Sequence, residues 1–481
     1  MVVELRPAEN GQHPGATEGH VDNHTNGHLD SVDGAATVYG LSKRGAYNML
    51  HRDVWGPRSK QLSDPWTPQN PGGTANPSRI NLRLAENDML HGEIEDYIHT
   101  QLRVQGVRHL TYSTGPQGSL RLRRAAARFL EKDFDSRSAV TYDDIFIMPG
   151  LTSAVDAMVW SVCDEGDGVI IPRPLYNGFK IDVQHRTDAV VVEAAFHDLE
   201  GYSSIDDVFD AAMNQKALSR ALRKAQDDGI RPAETLMGIA NFCGRNGLHF
   251  ISDEIYARST FRNANLPDAP PFISTLALDM SSVIPPRLRH VLYGASKDFC
   301  ANGLRLGFLY TKNRGIMGSI SSNSPFSWSP HVLQDVWASM LENDEWRRRF
   351  FDKNKTLMAE RYRYATNFLR ERGIGYYETY AGVFLWVDLL PYFSRNTDST
   401  DSEVTVNGTL NASSKGSEAY LRCEAEIVDA CASNGVMIAP GSSYRAEDHG
   451  WFRVTFTASE ACLKEGLDRM WKSLCEVQNT R

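Results

Sequence analysis

Residues 292–308 read Leu292-Tyr-Gly-Ala-Ser-Lys-Asp-Phe-Cys-Ala-Asn-Gly-Leu-Arg-Leu-Gly-Phe308. Lys297 follows a short hydrophobic run and a turn of small residues, and Arg305 comes eight positions later. Upstream, Phe250-Ile-Ser-Asp-Glu-Ile-Tyr256 is a strand-like run that ends in Asp253 and Tyr256. An amine, a guanidinium, a carboxylate and a phenol therefore stand at the ends of two strand-like segments. Either motif alone is weak, but the two in this order are specific.

This set is what an enzyme needs to hold pyridoxal phosphate. The Lys297 amine would condense with the aldehyde as a Schiff base. Ser296 and Arg305 would offer the phosphate a hydroxyl and a planar fork of donors. Asp253, expected to be buried, would pair with the pyridinium nitrogen and keep it protonated, so that the ring draws electrons. The Tyr256 phenol would bond the ring oxygen.

The chain has 481 residues, 41% of them hydrophobic and 23% charged, which fits an ordinary globular protein large enough for two domains. A net charge of -9 argues against nucleic acid as the main partner. Seven cysteines without a CxxC pair read as reduced thiols in an intracellular protein. No apolar run approaches the length of a membrane span, and residues 1–38 lack the apolar core of a signal peptide. A cytoplasmic protein with no membrane association is expected. His13, His20, His24 and His28 belong to a polar low-complexity stretch, so no metal site is expected.

Composition divides the chain into a disordered tail over 1–38, a segment over 39–90 that packs on the small domain, a large domain over 91–330 and a small C-terminal domain over 331–481. A flexible insertion rich in Ser, Thr and Asn is expected over 394–418. Between these, helical and strand patterns alternate. Helices are predicted over 119–134, 152–163, 206–227 and 235–246, with strands over 144–148, 167–171, 190–193, 248–252, 290–294 and 305–310. A long helix over 346–372, a helix near 421–434 and strands over 383–389 and 451–456 follow. The alternation predicts an α/β fold with a mostly parallel sheet wrapped by helices.

These motifs resemble the fold type I pyridoxal-phosphate enzymes of the class I/II aminotransferase family. The likeness is to the 1-aminocyclopropane-1-carboxylate synthase-like branch, particularly its fungal members, and it runs from about Leu41 to Trp471. Leu84-Ala-Glu-Asn87 is similar to the branch's substrate-side turn, which would put Glu86 near the substrate's amino group or side chain. Tyr112 matches a tyrosine that reaches the phosphate of the neighbouring subunit's cofactor, implying a homodimer with shared active sites. Pro149-Gly-Leu-Thr-Ser-Ala154 matches the phosphate turn, with Thr152 as hydroxyl donor at a helix N-terminus. Pro174-Leu-Tyr-Asn-Gly-Phe179 matches the segment whose tyrosine, here Tyr176, stacks on the cofactor ring. Gly450-Trp-Phe-Arg-Val-Thr455 matches the segment whose arginine, here Arg453, grips the substrate's α-carboxylate.

The resemblance implies an aminotransferase-like enzyme of secondary metabolism acting on an amino acid or similar substrate. C–S cleavage and a cyclopropane-forming lyase reaction stay open as alternatives. Two departures stand out. Gly294 occupies a position where the branch usually has a second hydroxyl on the phosphate. Between Leu222 and Leu236 the chain passes from helix to helix with only Gly229 to Pro232 between them, where the family has a buried strand and an asparagine turn. Such a strand buries several apolar side chains at about 1.5–3 kcal/mol each. Its loss predicts a gap beside the Asp253 strand and a cofactor-impaired or inactive chain as the rival reading.

Overall fold

The computed structural model describes residues 31–479 except 54–55, 57–58, 60–64, 71, 73–77, 228–236 and 394–413. The chain divides into two compact units, residues 1–61 and 62–481. In the first, Ser31 and Ser42 cap the helices Val32–Tyr39 and Lys43–His51, each side chain accepting a backbone N–H at 3.1 Å. The predicted tail thus gives way to a helix before residue 38. The capping serine, a left-handed Gly40 at the helix end and the buried Ala35 and Ala46 supply what composition alone did not reveal. The rest of that tail, residues 1–30, lies outside the described residues.

In the second unit we number the main strands β1 Ile145–Met148, β2 Gly168–Pro172, β3 Val190–Ala194, β4 Phe250–Asp253, β5 Arg289–Gly294, β6 Gly307–Thr311, β7 Gly375–Tyr377, β8 Phe384–Asp388, β9 Ala439–Pro440 and β10 Trp451–Thr455. Strands β1, β6, β5 and β4 form one sheet in that order, with β6 antiparallel to both neighbours and β5 parallel to β4. Three of these four strands therefore run the same way. β1, β5 and β6 are fully buried runs, as strands covered on both faces must be.

The second sheet has the order β9, β10, β8, β7 and is antiparallel throughout. Phe452 and Val454 of β10 join Leu385 and Val387 of β8 in its core, together with Met358 and Leu369 of the Asp344–Glu371 helix. Their alternation with Trp451 and Arg453 sends the latter two to the opposite face. The stretch before residue 90 contributes here: Ile80 and Asn81 pair in parallel with Val436 and Met437, and Ile80 and Leu82 are buried in the same core. The insertion expected over 394–418 ends sooner than its composition suggests, because residues 414–418 already belong to the helix Ser414–Ser433, whose Ile427 and Cys431 are buried. Residues 394–413 lie outside the described residues.

The large sheet comes in two pieces. β2 and β3 pair only with each other, in parallel, and β4 pairs only with β5. Both pieces nevertheless belong to one layer. Ile170 of β2 and Phe250 of β4 share one hydrophobic cluster, while Val169 and Ile251, their neighbours along each strand, pack on another cluster that holds Leu292 and Leu309. Each piece thus turns alternate residues to the same two sides, and among the described residues no strand pairs with the second edge of β2 or β4. An open edge inside a covered layer leaves N–H and C=O groups without the ladder that normally satisfies them. Among the described residues no strand lies at the free edge of the Asp253 strand, and the helices Ala211–Asp227 and Met237–Asn246 bracket the point in the chain where one would enter.

The split predicts that the messenger RNA carries an in-frame segment between the codons for Asp227 and Met237, long enough for one strand and a turn. Sequencing the transcript across that junction checks this. A message that matches residues 224–236 codon for codon, from cells with normal activity, would defeat it.

Candidate active site

Lys297 lies in the turn that follows β5, three residues beyond its last hydrogen-bonded position. Its amine donates to the carbonyl oxygen of Ala85. That carbonyl belongs to a strip, residues 82–87, laid along the β10 segment. Thr455 N–H donates to Leu82 O at 2.8 Å, Thr455 Oγ1 to Leu84 O at 2.6 Å and Thr457 Oγ1 to Glu86 O at 2.6 Å. Glu86 is exposed, and Asn302 Nδ2 approaches it at 3.5 Å. The Lys297 amine is pushed down to about 8. Burial is the main cause; Glu86 opposes it, Arg453 and Arg305 reinforce it, and Asp253 opposes it. These four predicted residues therefore surround one amine.

Asp253 ends β4, with its Oδ1 accepting from Ile255 N–H at 3.2 Å. The expectation of a buried carboxylate needs correction. The carboxyl projects past the last residue of the strand, so protein crowds it while one side remains open to solvent. The crowding pushes its pKa up to about 6, with Glu254 adding to the rise and Ile255 N–H and Lys297 opposing it. The open side is where a ligand group can reach it. Tyr256 stands near Arg453, Asp253 and Tyr176, packs edge-on against Phe384 at 6.2 Å, and is kept protonated far above the usual phenol range by burial.

The candidate phosphate turn lies at the N-terminus of the helix Leu151–Val162. Its cap, Gly150, has φ +85° and supplies no side-chain bond to the first-turn amides. Its positive φ favours glycine, and a Cβ there would come within 2.4 Å of Arg305 Nη2, which places the guanidinium directly beside the helix start. Arg305 is steadied by Asn302 O at 3.1 Å. Helix amides and a guanidinium converging on one place suit a phosphate. Thr152 is exposed in the first turn, and Ser296 is buried next to Lys297. At Gly294 a Cβ would press within 2.9 Å of Leu306 O and 2.8 Å of Leu151 Cδ1, so no hydroxyl-bearing side chain fits there.

Arg453 is 7% exposed. Its guanidinium lies 4.3 Å from the Tyr444 ring centroid and 4.8 Å from that of Phe384, while Nη2 donates to Arg83 O at 2.5 Å. Its Nε is buried with no hydrogen-bond partner. Tyr176 is half exposed and meets Phe179 edge-on at 5.5 Å; a Cβ on Gly178 would strike its ring at 2.2 Å, so the glycine makes room for it. Tyr112 is not brought to this site within the chain. It stands 83% exposed, with its ring 5.8 Å from that of Trp328.

Three participants escaped the sequence reading. Phe384 and Tyr444 flank Arg453 from separate segments, and Asp182 is a buried carboxyl on the helix Phe179–Gln184. Neither an aromatic in a strand nor an aspartate on an amphipathic helix carries a signal of its own. The Ala85 carbonyl is backbone and has none at all.

Residues 79–470 match the family model described as aminotransferase class I and II. Among curated relatives, 1-aminocyclopropane-1-carboxylate synthase 1 of Oryza sativa subsp. indica is 26% identical over 464 residues, covering 88% of this chain and 85% of its own. Probable aminotransferase aclI of Aspergillus oryzae is 27% identical, covering 91% and 98%, and probable aminotransferase gliI of Aspergillus fumigatus is 28% identical, covering 82% and 88%. A Thermus thermophilus aspartate aminotransferase double mutant superposes with a TM-score of 0.61 at 17% identity, covering 90% of this chain and 99% of that one. Kynurenine aminotransferase of Pyrococcus horikoshii gives 0.62 at 15% identity, covering 92% and 98%. The likeness to these solved structures is one of fold. The chain belongs to the aminotransferase class I and II family, whose members are enzymes that depend on pyridoxal phosphate. The donor set fits that cofactor: a single amine, an anion cradle and a carboxylate with an open side.

The charge pattern around Lys297 gives a prediction. In cofactor-free protein, its labelling by an amine-reactive reagent should rise through a midpoint near pH 8. Glu86→Gln removes a carboxylate that favours the charged amine, so the midpoint should move to lower pH. Peptide-resolved mass spectrometry across a pH series checks this, and an upward shift would contradict the arrangement.

Proposed function

We propose that this enzyme binds an amino acid or amino-acid-like substrate through its α-carboxylate on Arg453 and moves the α-proton with Lys297, in an aminotransferase-like reaction. The observation that carries the reading is the Arg453 guanidinium. It is buried, clamped between two aromatic rings, left with an unpartnered Nε, and close enough to Lys297 to shift its amine. A buried cation with unused donors is costly unless an anion completes it. A carboxylate supplies two acceptors in the geometry that a guanidinium matches.

The cofactor would be held by Lys297 at its aldehyde, by Asp253 at its ring nitrogen and by Tyr256 at its ring oxygen. Tyr176 would cover the ring, and Arg305, Thr152 and Ser296 would take the phosphate with the helix amides. When bound, pyridoxal phosphate supplies a sink for the electron pair left on Cα. The protein does the rest. Arg453 orients the bond to be broken, since a fixed carboxylate leaves Cα few rotations. Lys297, lowered toward neutrality by burial, would accept the α-proton at Nζ and hold it for delivery to the cofactor carbon that bore the aldehyde. Glu86, beside that amine, holds the substrate's amino group or side chain.

A homodimer fits the surface. Val104, Val107, Leu110 and Tyr112 are all more than half exposed, and Phe326 is 88% exposed, with the Tyr112–Trp328 contact joining the two stretches. An apolar surface of this kind marks an interface, and Tyr112 would cross it to the partner's phosphate. No helix among the described residues is long and apolar enough to cross a membrane. All seven cysteines are free thiols, which supports the cytoplasm as the compartment.

Borohydride treatment of loaded enzyme should attach the phosphopyridoxyl group to Lys297, and peptide mapping that finds it on another lysine would remove Lys297 from its role. Arg453→Ala should retain cofactor yet weaken amino-acid binding by about 30-fold or more, the loss of one partner from a buried charge pair. Equal substrate affinity in that variant would refute the carboxylate role. Mixing inactive Lys297→Ala chains with inactive Tyr112→Phe chains should restore part of the activity through hybrid dimers; a fully active monomer would exclude the shared site.

A further inference from the structure

The stretch Arg453-Val-Thr-Phe-Thr457 runs through the end of β10 and carries two threonines that have no part in the chemistry given above. Both are buried, Thr455 at 2% exposure and Thr457 at 0%. Phe452 and Val454 fill the core of the small sheet. The alternation along β10 therefore sends Arg453 and Thr455 to its other face, where the strip 82–87 lies.

The strip does not pair with this stretch as one strand pairs with another. Thr455 N–H donates to Leu82 O at 2.8 Å and Asp88 N–H to Thr457 O at 3.2 Å, but Phe456 N–H turns to Val383 O at 3.1 Å. Side chains bridge the interval between the first two bonds. Arg453 Nη2 donates to Arg83 O at 2.5 Å, Thr455 Oγ1 to Leu84 O at 2.6 Å and Thr457 Oγ1 to Glu86 O at 2.6 Å. The other acceptor near Thr457 Oγ1, Val383 O, is at 3.5 Å, so the hydroxyl's one hydrogen belongs to Glu86 O. Glu86 N–H donates to Leu84 O at 2.9 Å, which makes a tight turn centred on Ala85. Of the four carbonyls from Arg83 to Glu86, three are taken by side chains of the β10 stretch. The fourth, Ala85 O, takes the Lys297 amine, and the two hydroxyl bonds stand on either side of it.

We propose that Thr455 and Thr457 are positioning residues for Lys297: their hydroxyls pin the carbonyls that flank Ala85 and so hold Ala85 O and Glu86 against its amine. The inference rests on the reading of Lys297 as the amine that holds the cofactor and moves the α-proton. A lysine stem is long and flexible, and an amine with one hydrogen fixed on an acceptor keeps its lone pair aimed in one direction. The charged groups that act on this amine are Glu86, Arg453, Arg305 and Asp253. Burial and the two arginines disfavour its charge, while Glu86, Asp253 and the Ala85 carbonyl favour it. Slackening the strip removes part of that support, so the amine should lose its proton at lower pH.

The test is peptide-resolved labelling of Lys297 by an amine-reactive reagent across a pH series, on the full chain with no cofactor bound. It compares the unmodified protein with Thr455→Val, Thr457→Val, the two combined, Thr455→Ser and Thr457→Ser. Valine keeps the branched shape and lacks the donor; serine keeps the donor and lacks the methyl group. Each valine variant should move the labelling midpoint to lower pH, and the combination should move it by about one pH unit, the order of a single hydrogen bond to a charged group. The serine variants should keep the midpoint of the unmodified protein. An unmoved midpoint in the combined valine variant overturns the proposal. Equal displacement by serine and valine overturns it too, since packing and not the hydroxyl would then be responsible. If the combination does not fold, the single variants decide by the same criteria. Borohydride reduction of the loaded protein separates the two levels. A phosphopyridoxyl group on another lysine defeats the reading of Lys297 and this inference with it; the group on Lys297 alongside an unmoved midpoint defeats the inference alone.

Discussion

The bond from the Lys297 amine to the Ala85 carbonyl is the contact on which the site depends. It joins the end of β5 in the large sheet to a strip of backbone that has no sheet of its own. That strip is held by β10 and the residues after it, through the side chains of Arg453, Thr455 and Thr457 and the Thr455 N–H. One lysine therefore reports on the position of both layers of the second unit. Because Arg453 both holds the strip at Arg83 O and shifts the Lys297 amine, the residue that would grip substrate and the residue that would move its proton share a mechanical frame. Bonds of this kind restrict side chains before any ligand arrives, and preorganisation of that sort is most of what a protein adds to this chemistry.

The electrostatics follow from crowding. Arg305, Arg453 and Lys297 are three cations set close together, with Glu86 and Asp253 as counter-charges. Removed from water, the amine loses more than its neighbours return, and it is drawn toward neutrality. The open N-terminus of the Leu151–Val162 helix lies beside Arg305, so positive potential accumulates at one end of the site. Asp156 and Asp253 are like-charged neighbours of the buried Asp182, and burial with their repulsion raises its pKa against the opposing effect of Arg305.

Among the described residues, β2 and β4 are not joined by any strand. Both pieces keep their alternation into shared clusters, so hydrophobic burial alone orders the layer even where the hydrogen-bonded ladder is interrupted. Asp253 lies at the end of the strand that borders the interruption, which ties the shape of the active site to the integrity of the sheet. The Asp253 carboxyl, partly open, differs from the buried group that its strand-like context suggested.

Read by itself, the sequence pointed to Lys297, Ser296, Arg305, Asp253 and Tyr256 through two motifs in order, whereas Thr152, Tyr176, Glu86, Arg453 and Tyr112 were reached only through the resemblance to a family, because none of them carries a local signal of its own. The helices and strands it predicted overlap those observed, since burial on a regular element imposes a period of 2 or 3.6 that side chains display directly, but the helices His91–Gln101, Arg314–Asn323, His331–Glu342 and Glu460–Asn479 went unpredicted. It missed the helical caps at Ser31 and the early start of Ser414–Ser433, where polar composition masks helix formation. Tertiary structure alone decided that Phe384 and Tyr444 clamp Arg453 and that Ala85 O receives Lys297. Those contacts join segments up to hundreds of residues apart through ordinary side chains or bare backbone. Local sequence carries no periodicity for them, and only the packing of the sheets brings them within reach.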